Sequence, residues 1–351
     1  MIAILKEEGR EITGPVKRDG AIVYEEIDSA GDLPMGWVDE QSGGRYRLKK
    51  EGNSYFSATL GPSSWKRILH PPRQTMWRTE VKDGTTEIIP EPHDETLRAF
   101  IGVRACDLAA IAIQDKVFLD GPYKDPHYQA RRDRAFLVAV NCTRAAETCF
   151  CVSMGTGPRA TKGYDIALTE LSGGRFLAEA GSKAGAEKLN ALTSEPAIAS
   201  DLKAAEKSVA GAERQSRHID RDGLPEVIKA NSDHPHWEDI ASRCLNCANC
   251  TMVCPTCFCT TMEELNSLDG QSSERVSRWA WCFTTDFSHV HGGSVRGSTK
   301  ARYRQWMSHK LSNWVEQFDT MGCVGCGRCI TWCPVGIDIT AEAAAIREGR
   351  E

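Results

Sequence analysis

The run Cys244-x2-Cys247-x2-Cys250-x3-Cys254-Pro255 recurs as Cys323-x2-Cys326-x2-Cys329-x3-Cys333-Pro334. Such a repeat limits the fold more than any other part of the chain, because a cubane 4Fe–4S cluster needs four thiolates converging on one small volume. Three Cys at x2 spacing wrap one cluster from a single loop. A fourth, set just before Pro, ligates the other cluster of the pair. The spacing therefore predicts one cluster on Cys244, Cys247, Cys250 and Cys333, and a second on Cys323, Cys326, Cys329 and Cys254. Structural zinc is the competing assignment. Zinc sites are four-coordinate and often built from two separated Cys-x2-Cys knuckles. Three consecutive Cys with a trailing Cys-Pro, present twice, fit that poorly.

The chain has 351 residues, enough for two domains with cores of their own. Net charge is −5 at pH 7, so bulk electrostatics gives no reason to expect nucleic acid or an anionic membrane as partner. Apolar runs such as Ala135–Val140 are too short to cross a bilayer. Met1 to Pro15 carries no apolar stretch of the kind a secretory signal needs. Fifteen Cys without an export signal point to a reducing compartment and to metal rather than disulfides. The expected location is the cytoplasm.

The fold class expected is α+β. Residues 1–235 read as a mixed α/β domain, and residues 236–351 as a mostly helical two-cluster ferredoxin domain. Ala21–Ile27, Ser54–Leu60, Ala99–Val103 and Ala135–Val140 have strand character, and Leu108–Leu119 has helical spacing. The last two strands and that helix make a β-α-β unit. Its crossover sets the strands parallel, so Cys106 and Cys142, which follow them, come to one edge. Asp107 is placed to cap the helix. Leu177 to Ser216 is polar enough to be exposed helix or linker. Further on, Met307, Leu311, Trp314, Val315 and Phe318 form a helical stripe suited to core packing, and Ile339–Arg347 reads as helix.

Cys106, Cys142, Cys149 and Cys151 make a further set of four, for which a third 4Fe–4S cluster is the expectation. Buried free thiols and zinc are the alternatives. Thr256-Cys257-Phe258-Cys259 repeats Thr148-Cys149-Phe150-Cys151 letter for letter. Cys257, Cys259 and Cys282 read as thiols packed beside the clusters rather than ligands. Gly155-Thr-Gly-Pro158 lacks the third Gly of a dinucleotide loop, and the chain has no P-loop, so it is not expected to hold flavin or nicotinamide itself. His289 and His291 read as ordinary loop residues. Arg296, Lys300, Arg302, Arg304 and Lys310 form a basic stretch: either a solvated helix face or a docking patch for an acidic subunit.

Cys244-Leu-Asn-Cys-Ala-Asn-Cys-Thr-Met-Val-Cys-Pro-Thr-Cys-Phe-Cys259, Trp281-Cys-Phe-Thr, His291-Gly-Gly-Ser-Val-Arg, Arg302-Tyr-Arg-Gln-Trp-Met-Ser-His-Lys310 and Gly322-Cys-Val-Gly-Cys-Gly-Arg-Cys-Ile-Thr-Trp-Cys-Pro-Val-Gly-Ile-Asp338 together resemble the iron–sulfur beta subunit of cytosolic NAD(P)-linked nickel–iron hydrogenases, the sulfhydrogenases. The anaerobic sulfite reductase A subunit is similar. Arg104-Ala-Cys-Asp-Leu and Asn141-Cys with Thr148-Cys-Phe-Cys-Val-Ser-Met-Gly-Thr-Gly157 resemble the same family. The resemblance covers roughly Ala99 to Arg347. It implies a non-catalytic subunit of a hetero-oligomer that passes single electrons. The flow would join a flavin-containing NAD(P)H-linked subunit to a small iron–sulfur hydrogenase subunit and a nickel–iron subunit. The same role in a sulfite reductase complex is the runner-up, and a zinc-stapled scaffold without redox role is the alternative of another class.

Overall fold

Two near-continuous apolar runs, Arg98–Val103 and Ala135–Val140, lie side by side and parallel at the centre of a six-stranded sheet. Glu11–Arg18 and Ile166–Glu170 extend the parallel core on either side. Ala21–Glu26 and Phe176–Ala180 close the edges antiparallel. The runs lack polar alternation because both faces of the sheet are covered. Ala99, Ile101, Phe136, Val138 and Val140 pack on one face with Leu5, Ile12 and Phe56. Phe100, Val103, Leu137 and Ala139 pack on the other with Trp65, Leu108 and Ile111. Each large apolar side chain buried this way contributes roughly 1.5–3 kcal/mol. The computed structural model describes residues 1–349; Arg350 and Glu351, the last two residues of the expected second domain, lie outside the described residues.

Ser54–Leu60 is not a strand. Its backbone groups are bonded by side chains instead of a ladder. Tyr55 N and Phe56 N donate to the Glu170 carboxylate at 2.7 and 2.9 Å, and the Arg104 guanidinium donates to Phe56 O and Ala58 O at 2.7 Å. Leu177–Ser216 is no linker either. It begins within the edge strand Phe176–Ala180 and carries the helices Lys183–Asn190 and Ala199–Glu213, the latter burying Ala205, Val209 and Ala212.

The C-terminal half is less uniformly helical than expected. Between the Cys motifs it forms a hairpin, Thr260–Asn266 with Ser272–Trp279. The second strand pairs with Arg73–Lys82, which pairs with Thr85–Pro90, giving a four-stranded antiparallel sheet. Strands from both sides of residue 235 thus share one sheet. The hairpin is hard to see in the sequence because it is largely solvated: Val276 is its one fully buried residue, while Met262 and Leu265 are exposed. The helices His236–Arg243, Thr299–Ser308 and Ile339–Glu348 gather around Trp237, Tyr303, Trp306, Met307, Leu311 and Ile346. Among the described residues, no helix is long and apolar enough to cross a membrane.

Asp107 lies in the first turn of the helix Ala105–Phe118 but does not cap it. Its carboxylate accepts from Arg328 Nη1 at 2.7 Å and Nη2 at 3.0 Å, and both side chains are 1 % exposed. Arg328 Nε also donates to Gly61 O at 3.1 Å. This two-pronged pair ties the central sheet to the second Cys motif. Removing one partner strands a buried charge, so Asp107→Ala is expected to cost about 3–5 kcal/mol. Thermal unfolding of the anaerobic protein should show a markedly lower midpoint; an unchanged midpoint would contradict this account.

Candidate metal centre

Both Cys-x2-Cys-x2-Cys loops have the same backbone. In the first, Asn246 (φ 53) and Ala248 (φ 62) are left-handed; in the second, the equivalent Gly325 (φ 63) and Gly327 (φ 74) are. Alternating left-handed residues curl the chain so that successive Cys face one centre, and each loop runs into a single helical turn, Asn249–Met252 or Arg328–Thr331. Backbone amides also point at sulfur: Asn246 N donates to Cys244 Sγ and Ile337 N to Cys333 Sγ, each at 3.4 Å.

Two cavities lie behind these loops. One is lined by Cys244, Cys247, Cys250 and Cys333 together with Cys329, and by aromatic side chains including Tyr303 and Trp306. The other is lined by Cys254, Cys323, Cys326 and Cys329, with Lys310. Each cavity therefore gathers the three spaced Cys of one motif with the trailing Cys of the other, and Cys329 lines both. Burial pushes the Cys244, Cys250, Cys323, Cys326 and Cys329 thiols up, Cys323 to about 12. Gathering them as anions accordingly requires a bound cation core. Zinc–sulfur bonds of about 2.3 Å would hold tetrahedral thiolates roughly 3.8 Å apart. Among the described residues, no three Cys Sγ atoms lie within 4.8 Å of one another, whereas a four-iron cube bonded at its corners spreads its thiolates wider. Three Cys of one loop with the trailing Cys of the other is the donor set of an iron–sulfur cluster.

The parallel strands bring Cys106 and Cys142 to one edge: Arg104, between the strand Arg98–Val103 and Cys106, reaches Cys142 Sγ with Nη1 at 3.8 Å. Cys106, Cys149 and Cys151 are buried. Gln215 Nε2 donates to Cys151 Sγ at 3.1 Å, and burial pushes that thiol up to about 12. The set abuts the second motif. Phe150 N donates to Gly325 O at 2.9 Å, Thr156 Oγ1 to Val324 O at 2.6 Å, and Cys106, Cys151 and Cys326 share one apolar cluster.

Cys257, Cys259 and Cys282 are half-buried on the other flank. A hydrogen bond from the Cys257 thiol and then the Lys310 ammonium hold Cys254 well below the ordinary thiol range against the effect of burial, and burial pushes Cys282 up to about 12. The basic stretch divides. Lys300 pairs with Glu238 at 2.9 Å and Arg304 with Asp233 at 3.3 Å. Arg302 donates to backbone carbonyls, including Arg296 O at 2.9 Å. Lys310 points inward and is 3 % exposed. Its spacing of three from Met307 is the sequence signal that put it on the buried side. Lys66, also buried, lies with Nζ 3.9 Å from the centre of the Trp279 ring. His236, Asp239 and Glu342 gather within 4.8 Å, but Arg243 donates to both Glu342 oxygens, and the group reads as an ion pair. His289 lies in the two-residue strand His289–Val290, paired with Gly293–Ser294, and His291 in the turn between them; both are exposed.

Residues 243–337 match the family model of the 4Fe-4S dicluster domain. Across 98% of its length the chain is 31% identical to Sulfhydrogenase 2 subunit beta of Pyrococcus furiosus, of which the match covers 94%. The chain belongs to the sulfhydrogenase beta-subunit family. No solved structure matches it. The shared 4Fe-4S dicluster segment begins at Arg243, one residue before the first Cys of the repeat, and includes both loops.

In this family member the second loop needs its glycines for space as well as for φ. A Cβ on Gly325 would lie 2.6 Å from Phe150 O, and one on Gly327 would collide with the Thr148 carbonyl. Gly327→Ala should therefore lose at least about 1–2 kcal/mol from conformation alone, and release iron. Ala248→Gly at the equivalent position should be mild. Iron retained after anaerobic desalting checks both.

Proposed function

We propose that this chain is the electron-transfer subunit of a cytoplasmic nickel–iron hydrogenase complex. In this reading it carries single electrons through 4Fe–4S clusters between a flavin subunit that handles NAD(P)H and the catalytic subunits, a small iron–sulfur subunit and a nickel–iron subunit. The observation that carries it is the sorting of eight Cys into two cavities, each completed by the trailing Cys of the other motif. Cys244, Cys247, Cys250 and Cys333 would hold one cluster, and Cys323, Cys326, Cys329 and Cys254 the other. Cys106, Cys142, Cys149 and Cys151 would hold a third. When bound, the clusters supply reversible one-electron storage. The chain's own residues do the rest: apolar walls exclude water, and amide and side-chain donors aimed at sulfur set each potential. The relative's name, a sulfhydrogenase beta subunit, supports a place in a hetero-oligomer. The want of a dinucleotide loop supports delegating NAD(P)H to a partner.

Three clusters imply about twelve iron per chain by anaerobic analysis. Stoichiometric zinc in place of iron would refute the proposal, and about eight iron would remove the third cluster only. Co-purification of nickel–iron and flavin subunits is the expected outcome of isolating the native complex; a siroheme subunit instead would move the same role to a sulfite reductase.

Crossed ligation has its own test. Cys333→Ser should erase, or convert to a three-iron form, the EPR signal of the cluster on Cys244, Cys247 and Cys250. The signal of the cluster on Cys323, Cys326 and Cys329 should persist. The opposite pattern would mean that each motif ligates locally.

A further inference from the structure

Among the described residues, Lys310 is the one cationic side chain lining either ferredoxin-type cavity. It sits in a π-helical turn, His309–Asn313, between the α-helices Thr299–Ser308 and Trp314–Phe318. Such a turn is rare, and it occurs mostly where a side chain must be re-aimed at a functional site. Here it faces the cavity of Cys254, Cys323, Cys326 and Cys329. Lys310 Nζ donates to Thr256 Oγ1 at 2.9 Å and to Gly322 O at 3.2 Å. The Thr256 hydroxyl proton has two acceptors in reach, Gly322 O at 2.7 Å and Cys254 Sγ at 3.1 Å. Because Lys310 already serves Gly322 O, the hydroxyl is free to turn to sulfur. Among the described residues, no carboxylate oxygen lies within 4.0 Å of Lys310 Nζ. A buried ammonium with no carboxylate needs another anion. Thiolates holding a cluster are the anions in place.

We infer that Lys310 raises the reduction potential of the cluster on Cys254, Cys323, Cys326 and Cys329 above that of the cluster in the other cavity. The inference rests on the cluster assignment under Proposed function. Taking up one electron adds one negative charge to the site. In a low-dielectric surrounding, a fixed ammonium stabilises the reduced form more than the oxidised one. The other cavity is built on a loop of the same backbone shape, but its lining carries no Lys or Arg. One electron enters from a neighbouring cluster and one leaves to the next, and Lys310 keeps its proton throughout. It touches no substrate and acts as a positioning residue for charge.

The test is an EPR-monitored redox titration of the full-length, cluster-loaded protein, with Cys254→Ser run alongside to mark which signal belongs to this cavity. In Lys310→Met the midpoint of that signal should fall by at least a tenfold change in its equilibrium, about 59 mV for one electron. The signal of the other cavity should stay in place. Lys310→Gln, which keeps a hydrogen-bond donor without charge, should give the same fall if the Met variant loads too little iron. Lys310→Arg should return the midpoint toward wild type. Unshifted midpoints in variants with full iron overturn the inference while leaving the clusters standing. Absence of any cluster signal from the wild-type protein overturns the assignment beneath it as well.

Discussion

Thiolates in an apolar volume repel one another and lose their hydration, so their convergence is unfavourable until a metal core offsets it. Most of the C-terminal half is arranged around that condition. Trp237, Tyr303, Trp306 and Met307 form the wall against which Cys244, Cys250, Cys323, Cys329 and Cys333 pack. The wall comes from helices that precede the first motif and lie between the two. Crossed completion makes the dependence mutual. Cys254 belongs to the first loop but lines the second cavity, and Cys333 does the reverse. On the ligation proposed, neither loop completes its own site, and metal loading and the fold of this region would be linked.

Buried cations supply the second layer. Arg328, Arg104 and Lys310 are all under 5 % exposed, and each solves its charge differently. Arg328 takes the Asp107 carboxylate in a two-pronged pair. Arg104 donates to two carbonyls and to a cysteine sulfur. Lys310 has a hydroxyl, a carbonyl and thiols. The first is a structural clamp between the sheet and the second loop. The other two leave their charge beside sulfur, where it bears on electron affinity rather than on stability alone.

Local chemistry was the legible part of the sequence. The x2 Cys spacing, the β-α-β unit and the helix of the C-terminal tail each depend on residues a few positions apart, and the structure carries the last two as strand–helix–strand and Ile339–Glu348. What stayed hidden depends on partners far away. Ser54–Leu60 has strand composition, yet its amides are claimed by Glu170 and its carbonyls by Arg104. Asp107 has the position of a cap, yet Arg328, 221 residues on, takes its carboxylate. Lys310 looked like one of five surface cations because its neighbours in sequence are basic. Only its spacing of three from Met307 marks the buried side, and it lies there in the π-turn His309–Asn313. The polar hairpin Thr260–Trp279 became a sheet only because Arg73–Lys82 offered an edge.

The three thiol sets also have an order in space. Cys329 lines both ferredoxin-type cavities, so the two share a wall. Cys326, from the second cavity, packs with Cys106 and Cys151 of the N-terminal set. The second cavity is therefore the middle of a series, with the N-terminal set on one side and the first cavity on the other. The outer end opens to solvent: Cys247 is exposed, and Leu245 beside it is 62 % exposed. A wire needs such a series, because an electron that must leave the chain has to reach a cluster near the surface. Lys310 lines the middle cavity, while Arg104 reaches Cys142 of the N-terminal set. On the ligation proposed, an electron crossing the series would pass the cavity that the Lys310 ammonium lines, between the N-terminal thiols and the first cavity.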